Sequence, residues 1–295
     1  MGIALAGLLI FHGLVPNRVG HLGSLVEALL PWFGLGVLML FEVAVWRRTV
    51  RAFVSFLLPA VAWLGVCGGQ LLPADDGPAD LTVVQHNVSD ENRAPAATAR
   101  AIMEPGPDLI GLEELTPEAL PVYEAVLTSD YPYHAVFGTV GLWSRRPIDR
   151  AEPVDIKPRG LDADWRRGLR AVVGPVVVVV AHLPSVRIGL GKGFDTGRRD
   201  DSAARLGAVV AGEERVVLIG DLNGTVEDRG LRPITRRLTT ARSSPAWSFP
   251  ARMPIGRIDH VMARGGTVTR VWTLPATGSD HLPVAARIRW SPAPR

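Results

Sequence analysis

The chain has 295 residues, 47% of them hydrophobic, with a mean hydropathy of +0.18 and a formal net charge of +3. Residues 1–72 hold only Arg18, Glu27, Glu42, Arg47, Arg48 and Arg51 as charges, which leaves 28 basic against 27 acidic side chains for the other 223 residues. A domain so near neutrality has no nucleic-acid footprint despite a pI near 9.5, and the single cysteine, Cys67, excludes an intrachain disulfide and a thiolate zinc site.

The N-terminal quarter reads as a membrane anchor of two to three helices. Ile3–Val15 is apolar but shorter than the roughly 20 residues a spanning helix needs. Without a basic segment ahead of it, and with more apolar sequence after it, it does not read as a cleaved signal peptide. Leu22–Trp46 is long enough to span and ends on an interfacial aromatic, and Ala52–Leu72 spans without a charge. Trp46–Arg51, "WRRTVR", is the one basic cluster beside these segments and is expected on the cytoplasmic side, which sends everything after Pro73 outside. Glu27 and Glu42 fall close to expected interfaces and read as interfacial charges rather than functional ones. Residues 73–80 are Pro-, Asp- and Gly-rich and form the expected linker to a domain at 81–295.

That domain alternates short strands and turns with a few helices. Strands are expected at Leu81–Asn87, Asp108–Leu112, His134–Phe137, Val140–Ser144, Leu169–Val173, Val176–His182, Val216–Asp221, Arg257–Ala263, Val268–Thr273 and Val284–Trp290. Helices are expected at Pro95–Met103, Pro117–Ser129 and Asp201–Ala211. Ten strands with intervening helices indicate a large α/β or α+β sandwich.

Polar residues gather at the strand ends: Asn87, Glu113–Glu114, His182, Asp221 with Asn223 two residues on, Asp259, and the pair Asp280–His281 in "GSDHLPV". Each has a structural reading by itself, since a strand-terminal Asn or Asp makes an Asx turn and a lone His is usually a satisfied polar group. Together they offer carboxylate and carboxamide oxygens without thiolate, the donor set of a hard cation such as Mg²⁺, with Mn²⁺ as the alternative. Asp-x-Asn sets two polar side chains on one strand face, and a histidine beside an acid can stabilise developing phosphorane charge. This is the kit of a metal-assisted phosphoester hydrolase.

The ordered series "HNV…LEE…SRRPI…AHLPS…GDLNGT…RIDHV…GSDHLPV" resembles the endonuclease/exonuclease/phosphatase superfamily over nearly all of residues 81–290. The resemblance implies a four-layer DNase I-like fold, two stacked β-sheets flanked by helices, with a Mg²⁺-dependent site at one edge. It implies that Asn87 and Glu114 lie on the metal side and that Asp280 completes the metal or acid group. Asp221 would orient or activate water, Asn223 and His182 would contact the phosphate, and Asp259 would pair with His281. Glu114 is preferred over Glu113 because the family commonly has Gln-Glu where this chain has Glu-Glu.

Apolar N-terminal segments followed by such a domain also resemble the membrane-anchored VanJ-like group associated with glycopeptide (teicoplanin, vancomycin) resistance. By that resemblance the expected function is an extracytoplasmic phosphatase or phosphodiesterase acting on an envelope lipid phosphate or pyrophosphate. A tethered nuclease and a non-catalytic receptor for a phospholipid or glycopeptide are the alternative readings. Two basic stretches, Asp164–Arg170 and Gly191–Arg199, are candidates for gripping an anionic headgroup.

Overall fold

The structure is a computed structural model and describes residues 1–161, 164–189, 191 and 193–291. Lys192, within the second basic stretch, lies outside the described residues.

Two sheets stack face to face in the domain that follows the linker. The first runs β12-β13-β1-β2-β4-β3, from β1 (Leu81–Asn87), β2 (Leu109–Glu113), β3 (Tyr133–Phe137), β4 (Val140–Ser144), β12 (Gly266–Thr273) and β13 (Val284–Trp290). The second runs β11-β10-β7-β6-β5, from β5 (Arg150–Pro153), β6 (Gly168–Val173), β7 (Val176–Ala181), β10 (Val216–Asp221) and β11 (Asp259–Arg264). A separate hairpin pairs β8 (Arg187–Gly189) with β9 (Gly193–Asp195). Between the sheets lies an aliphatic core that includes Val83, Leu109, Leu142, Val178, Val180, Val217, Ile219 and Ile288. The outer face of the first sheet packs on α5 (Pro95–Met103) and α6 (Leu120–Leu127) through Ile102, Tyr123, Leu127 and Trp143. The outer face of the second packs on α7 (Gly197–Val209) and α8 (Arg232–Thr235) through Leu206, Ile234, Leu218 and Met262. Central strands such as "VVVVVA" and "VVLIGD" are apolar on both faces because both faces are covered. The expected four-layer sandwich is what the chain forms.

Two parallel pairs organise one edge of the sandwich. β1 runs parallel to β2, so Asn87 and Glu113 finish side by side; β10 runs parallel to β7, so Asp221 and His182 do the same. β11 is antiparallel to β10 and starts with Asp259 opposite Asp221. Gly220 permits the close approach of β10 to β7: a Cβ there would lie 1.9 Å from the carbonyl oxygen of Ala181.

The N-terminal helices are α1 (Gly2–Phe11), α2 (Leu22–Ala28), α3 (Phe33–Arg47) and α4 (Val50–Cys67). Leu22–Trp46 is therefore not one helix, contrary to the sequence expectation. It breaks at a 3-10 turn, Leu30–Trp32, that contains Pro31. The apolar stretches long enough to cross a membrane are Leu30–Arg47 and Val50–Leu71. α2 turns aside because Glu27 is not interfacial: it is fully buried, accepting from Arg229 N and Nε at 2.8 Å and from Arg232 at 3.3 Å. Arg229 also donates to the carbonyls of Val15 and His12, which ties the α1–α3 connection to the two-sheet sandwich. At the other end, Gly2 packs on the backbone of Ser55 near the start of α4, so the N-terminus lies with the Arg47–Arg51 turn and away from that domain.

Candidate active site

Seven of the eight residues singled out by sequence converge at the edge where β1, β2, β7 and β10 end. Asp221 is buried between donors: Asn223 N at 2.9 Å, Asn223 Nδ2 at 3.2 Å and Asn87 Nδ2 at 3.2 Å. His182 Nε2 lies 3.6 Å from Asp221 and 3.8 Å from Glu114. Asp259 and His281 form a tight pair, Oδ2 to Nδ1 at 2.8 Å, and the other His281 nitrogen lies 3.8 Å from Asp221. Asn223 is fixed further by donation to Leu183 O and by Arg199, which donates to its carbonyl. Asp280 is the exception. Its side chain is exposed and makes no hydrogen bond or ion pair among the described residues, while its carbonyl accepts from Ala251.

The backbone is bent to hold these groups. Glu114 (φ 60°), Asn223 (φ 48°) and Ser89 (φ 60°) all adopt left-handed conformations, which cost a non-glycine residue about 1 kcal/mol or more and cluster at functional sites. Asn tolerates this best; Glu114 has no such local excuse, and its turn redirects the chain directly after β2.

Crowded buried charge sets the proton affinities. Burial raises the Asp221 carboxyl to about 7, with the neighbouring Asp259 adding to the rise and His281 opposing it. Burial alone would lower the His281 imidazole, yet Asp259 and Asp221 prevail and hold it up at about 10, charged at neutral pH. Asp259 is likewise pushed up by burial, but His281 and its hydrogen bonds bring it below the ordinary carboxylate range. His182 is held well below its usual value by burial and then by Arg167, so it is neutral.

Gln85 and the direction of Arg167 escaped the sequence reading, and Glu113, seen there, was passed over in favour of Glu114. Gln85, fully buried, donates through Nε2 to Glu113 at 2.8 Å and to Asp259 at 2.9 Å, bridging the two acids. Glu113 is buried against this bridge and its carboxyl is raised well above the ordinary range, first by burial and then by Asp259 and Asp221. Both lie on β1 and β2 at inward positions that strand alternation would have flagged had the outer face been polar. Arg167 lies 3.2 Å from the His182 ring and stacks over Trp165. It belongs to the basic stretch Asp164–Arg170, whose composition was visible but not its direction.

The donors fit a divalent cation. Atoms of Asp221, Asp259 and His281 lie within 4.8 Å of one another, the two carboxylates offering oxygen ligands and the charged ring lying beside them. Two buried carboxylates against one imidazolium leave negative charge uncompensated, buried oxygens of Glu113 and Gln85 have no partner, and oxygen donors suit a hard ion.

Residues 84–281, about two thirds of the chain, match the profile of the Endonuclease/Exonuclease/phosphatase family. No curated protein matches the chain significantly. Among solved structures, sphingomyelinase C from Streptomyces griseocarneus is similar at 20% identity and a TM-score of 0.50, over 72% of this chain and 99% of that one. A mannosyl-6-phosphatase from Bacteroides thetaiotaomicron is similar at 16% identity and 0.57, over 72% and 100%. A beta toxin variant from Staphylococcus aureus, with bound magnesium ions, is similar at 18% identity and 0.55, over 70% and 99%.

Proposed function

This chain belongs to the endonuclease/exonuclease/phosphatase family and is a metal-dependent phosphoester hydrolase, and on that premise we propose that it works at the outer face of a membrane on a lipid-linked phosphate or pyrophosphate. The observation that carries the reading is the continuity between apolar helices and catalytic edge, clasped by Glu27 and Arg229. In this reading residues 1–72 are the anchor, 73–80 the linker and 81–295 the catalytic domain. The basic turn at Arg47–Arg51 favours the cytoplasmic side, which leaves the catalytic domain extracytoplasmic. The likeness to the VanJ-like glycopeptide-resistance group points the same way, toward an undecaprenyl-pyrophosphate-type carrier. The near-neutral catalytic domain lacks the basic stripe of a nuclease.

Glu114 and Asn87 would hold Mg²⁺ or Mn²⁺ beside the Asp221 and Asp259 carboxylates, with the charged His281 ring next to the ion but not ligating it, and the bound ion would polarise a phosphoryl oxygen as a Lewis acid. Asp221, with a carboxyl near 7, is suited to take a proton from the attacking water. Asn223 holds that carboxylate in place, and its amide, which donates to Asp221 and Leu183 O, would contact a phosphate oxygen by exchanging one of these bonds. Charged His281, oriented by Asp259, faces the developing negative charge, and His182 with Arg167 supplies donors on the other flank. Asp280, exposed beside His281, adds negative potential at the rim.

The test is substrate selectivity of the full-length protein in detergent with Mg²⁺. Phosphate release is expected from a polyprenyl pyrophosphate or from one member of a phospholipid panel, with plasmid DNA left intact. Cleavage of DNA with every lipid untouched would replace this reading with a tethered nuclease. Lipid binding without turnover would replace it with a receptor.

A further inference from the structure

Three loops leave the catalytic edge and meet the segment between α1 and α3. After His182, the β8–β9 hairpin touches it: Phe194 N donates to Gly20 O at 2.9 Å, and Thr196 Oγ1 lies 2.8 Å from His21 Nδ1. After Asn223, the chain reaches Arg229 and its clasp on Glu27. The third loop, residues 244–257, sets Phe249 on the His281 ring at 4.8 Å and Trp247 on Trp32 at 5.0 Å, and Ile255 O accepts from Trp32 Nε1 at 2.8 Å. His281 is thus joined to Trp32, the residue ahead of α3, through two ring contacts and a three-residue stretch of chain.

The same elements leave apolar side chains in the open. Ile188 is 84% exposed, Val19 74% and Met253 69%. Each directly follows an exposed arginine, giving the pairs Arg18–Val19, Arg187–Ile188 and Arg252–Met253 on three separate elements. None of the three guanidinium groups makes a hydrogen bond or ion pair among the described residues. Solvent gives no reason to repeat such a pair on the α1–α3 segment and on two of the loops that meet it. A bilayer surface does, since the apolar member enters the headgroup layer while the guanidinium meets lipid phosphate.

We infer that these three pairs form an interfacial rim seating the mouth of the site in the headgroup layer of the membrane crossed by α3 and α4, so that substrate enters sideways as a membrane-held phosphoester. The inference rests on the anchor reading above. Its partner is the lipid surface itself, argued from continuity with the apolar helices.

The experiment uses full-length protein carrying Cys67→Ser in nanodiscs, with an environment-sensitive fluorophore on Ile188→Cys, Met253→Cys, Val61→Cys in α4, or Ser129→Cys at the opposite edge of the domain. Spin-labelled lipid is the quencher. Probes at 188 and 253 are expected to be quenched about twofold by a headgroup label, the probe at 61 by an acyl-chain label, and the probe at 129 by neither. A quenched probe at 61 with bright probes at 188 and 253 would overturn the rim and leave the anchor standing. No quenching at 61 would overturn the anchor, and the rim with it. Independently, Ile188→Glu with Met253→Glu is expected to lower turnover of a bilayer-held phosphoester about fivefold while a soluble phosphoester is turned over as before. An equal loss on both substrates would contradict the rim.

Discussion

His281→Ala is expected to lower kcat/KM for phosphoester hydrolysis by about 10³-fold, and Asp259→Asn by a similar factor. The two side chains act as one unit: Asp259 fixes the imidazole through a 2.8 Å bond and keeps it charged, and the charged ring faces Asp221. Losing either removes the same positioned cation, so the double variant should cost about as much as one single change rather than the product of both. The check is a double-mutant cycle on steady-state rates. Additive losses would show that Asp259 serves something other than His281, for which its bond to Gln85 is the alternative.

Arg199→Met is expected to destabilise the folded chain by about 3–5 kcal/mol. The Arg199 side chain is fully buried and donates to Asp228 at 2.6 Å, to Asp200 at 2.7 Å and to Asn223 O at 3.1 Å. Asp228 is buried too, so deleting the guanidinium strands a carboxylate in the protein interior. Thermal melting in detergent should fall by about 10 °C. Adding Asp228→Leu should restore only part of this, because Asp228 also accepts from Gly230 N at the 3-10 turn. An unchanged melting temperature would show that the network is replaced by water. Activity should fall with stability, since Arg199 steadies the carbonyl of Asn223, the residue proposed to contact the phosphate.

Much of the fold was legible because its central strands are apolar on both faces and are bounded by turn residues. β1, β4, β10 and β13 begin and end where the sequence indicates. Missed elements lack that signal. β5, "RAEP", is a polar edge strand paired only with β6, and β8 and β9 are three-residue strands. α8 is a single turn. Leu22–Trp46 misled because hydropathy reports composition, not partners: Glu27 finds Arg229 some 202 residues away. The polar strand ends were readable as a group since parallel neighbours must finish together. Asp280 was not, because it and His281 lie in a bend ahead of β13, where no strand alternation tells which of the two faces inward, and here His281 is buried and Asp280 exposed. Gln85 was hidden in mid-strand, away from the polar strand ends, and Glu113 was seen but set aside for its neighbour Glu114.

The account's central claim is that these side chains work with a divalent cation to hydrolyse a phosphoester. The most direct measurement is turnover of soluble chromogenic phosphomonoesters and phosphodiesters by the full-length protein as Mg²⁺ or Mn²⁺ is titrated in, with Asp221→Ala alongside. Turnover should rise with the metal, vanish in EDTA, return on readdition, and be absent in the variant. EDTA-resistant turnover, turnover that survives Asp221→Ala, or none on any phosphoester would contradict it.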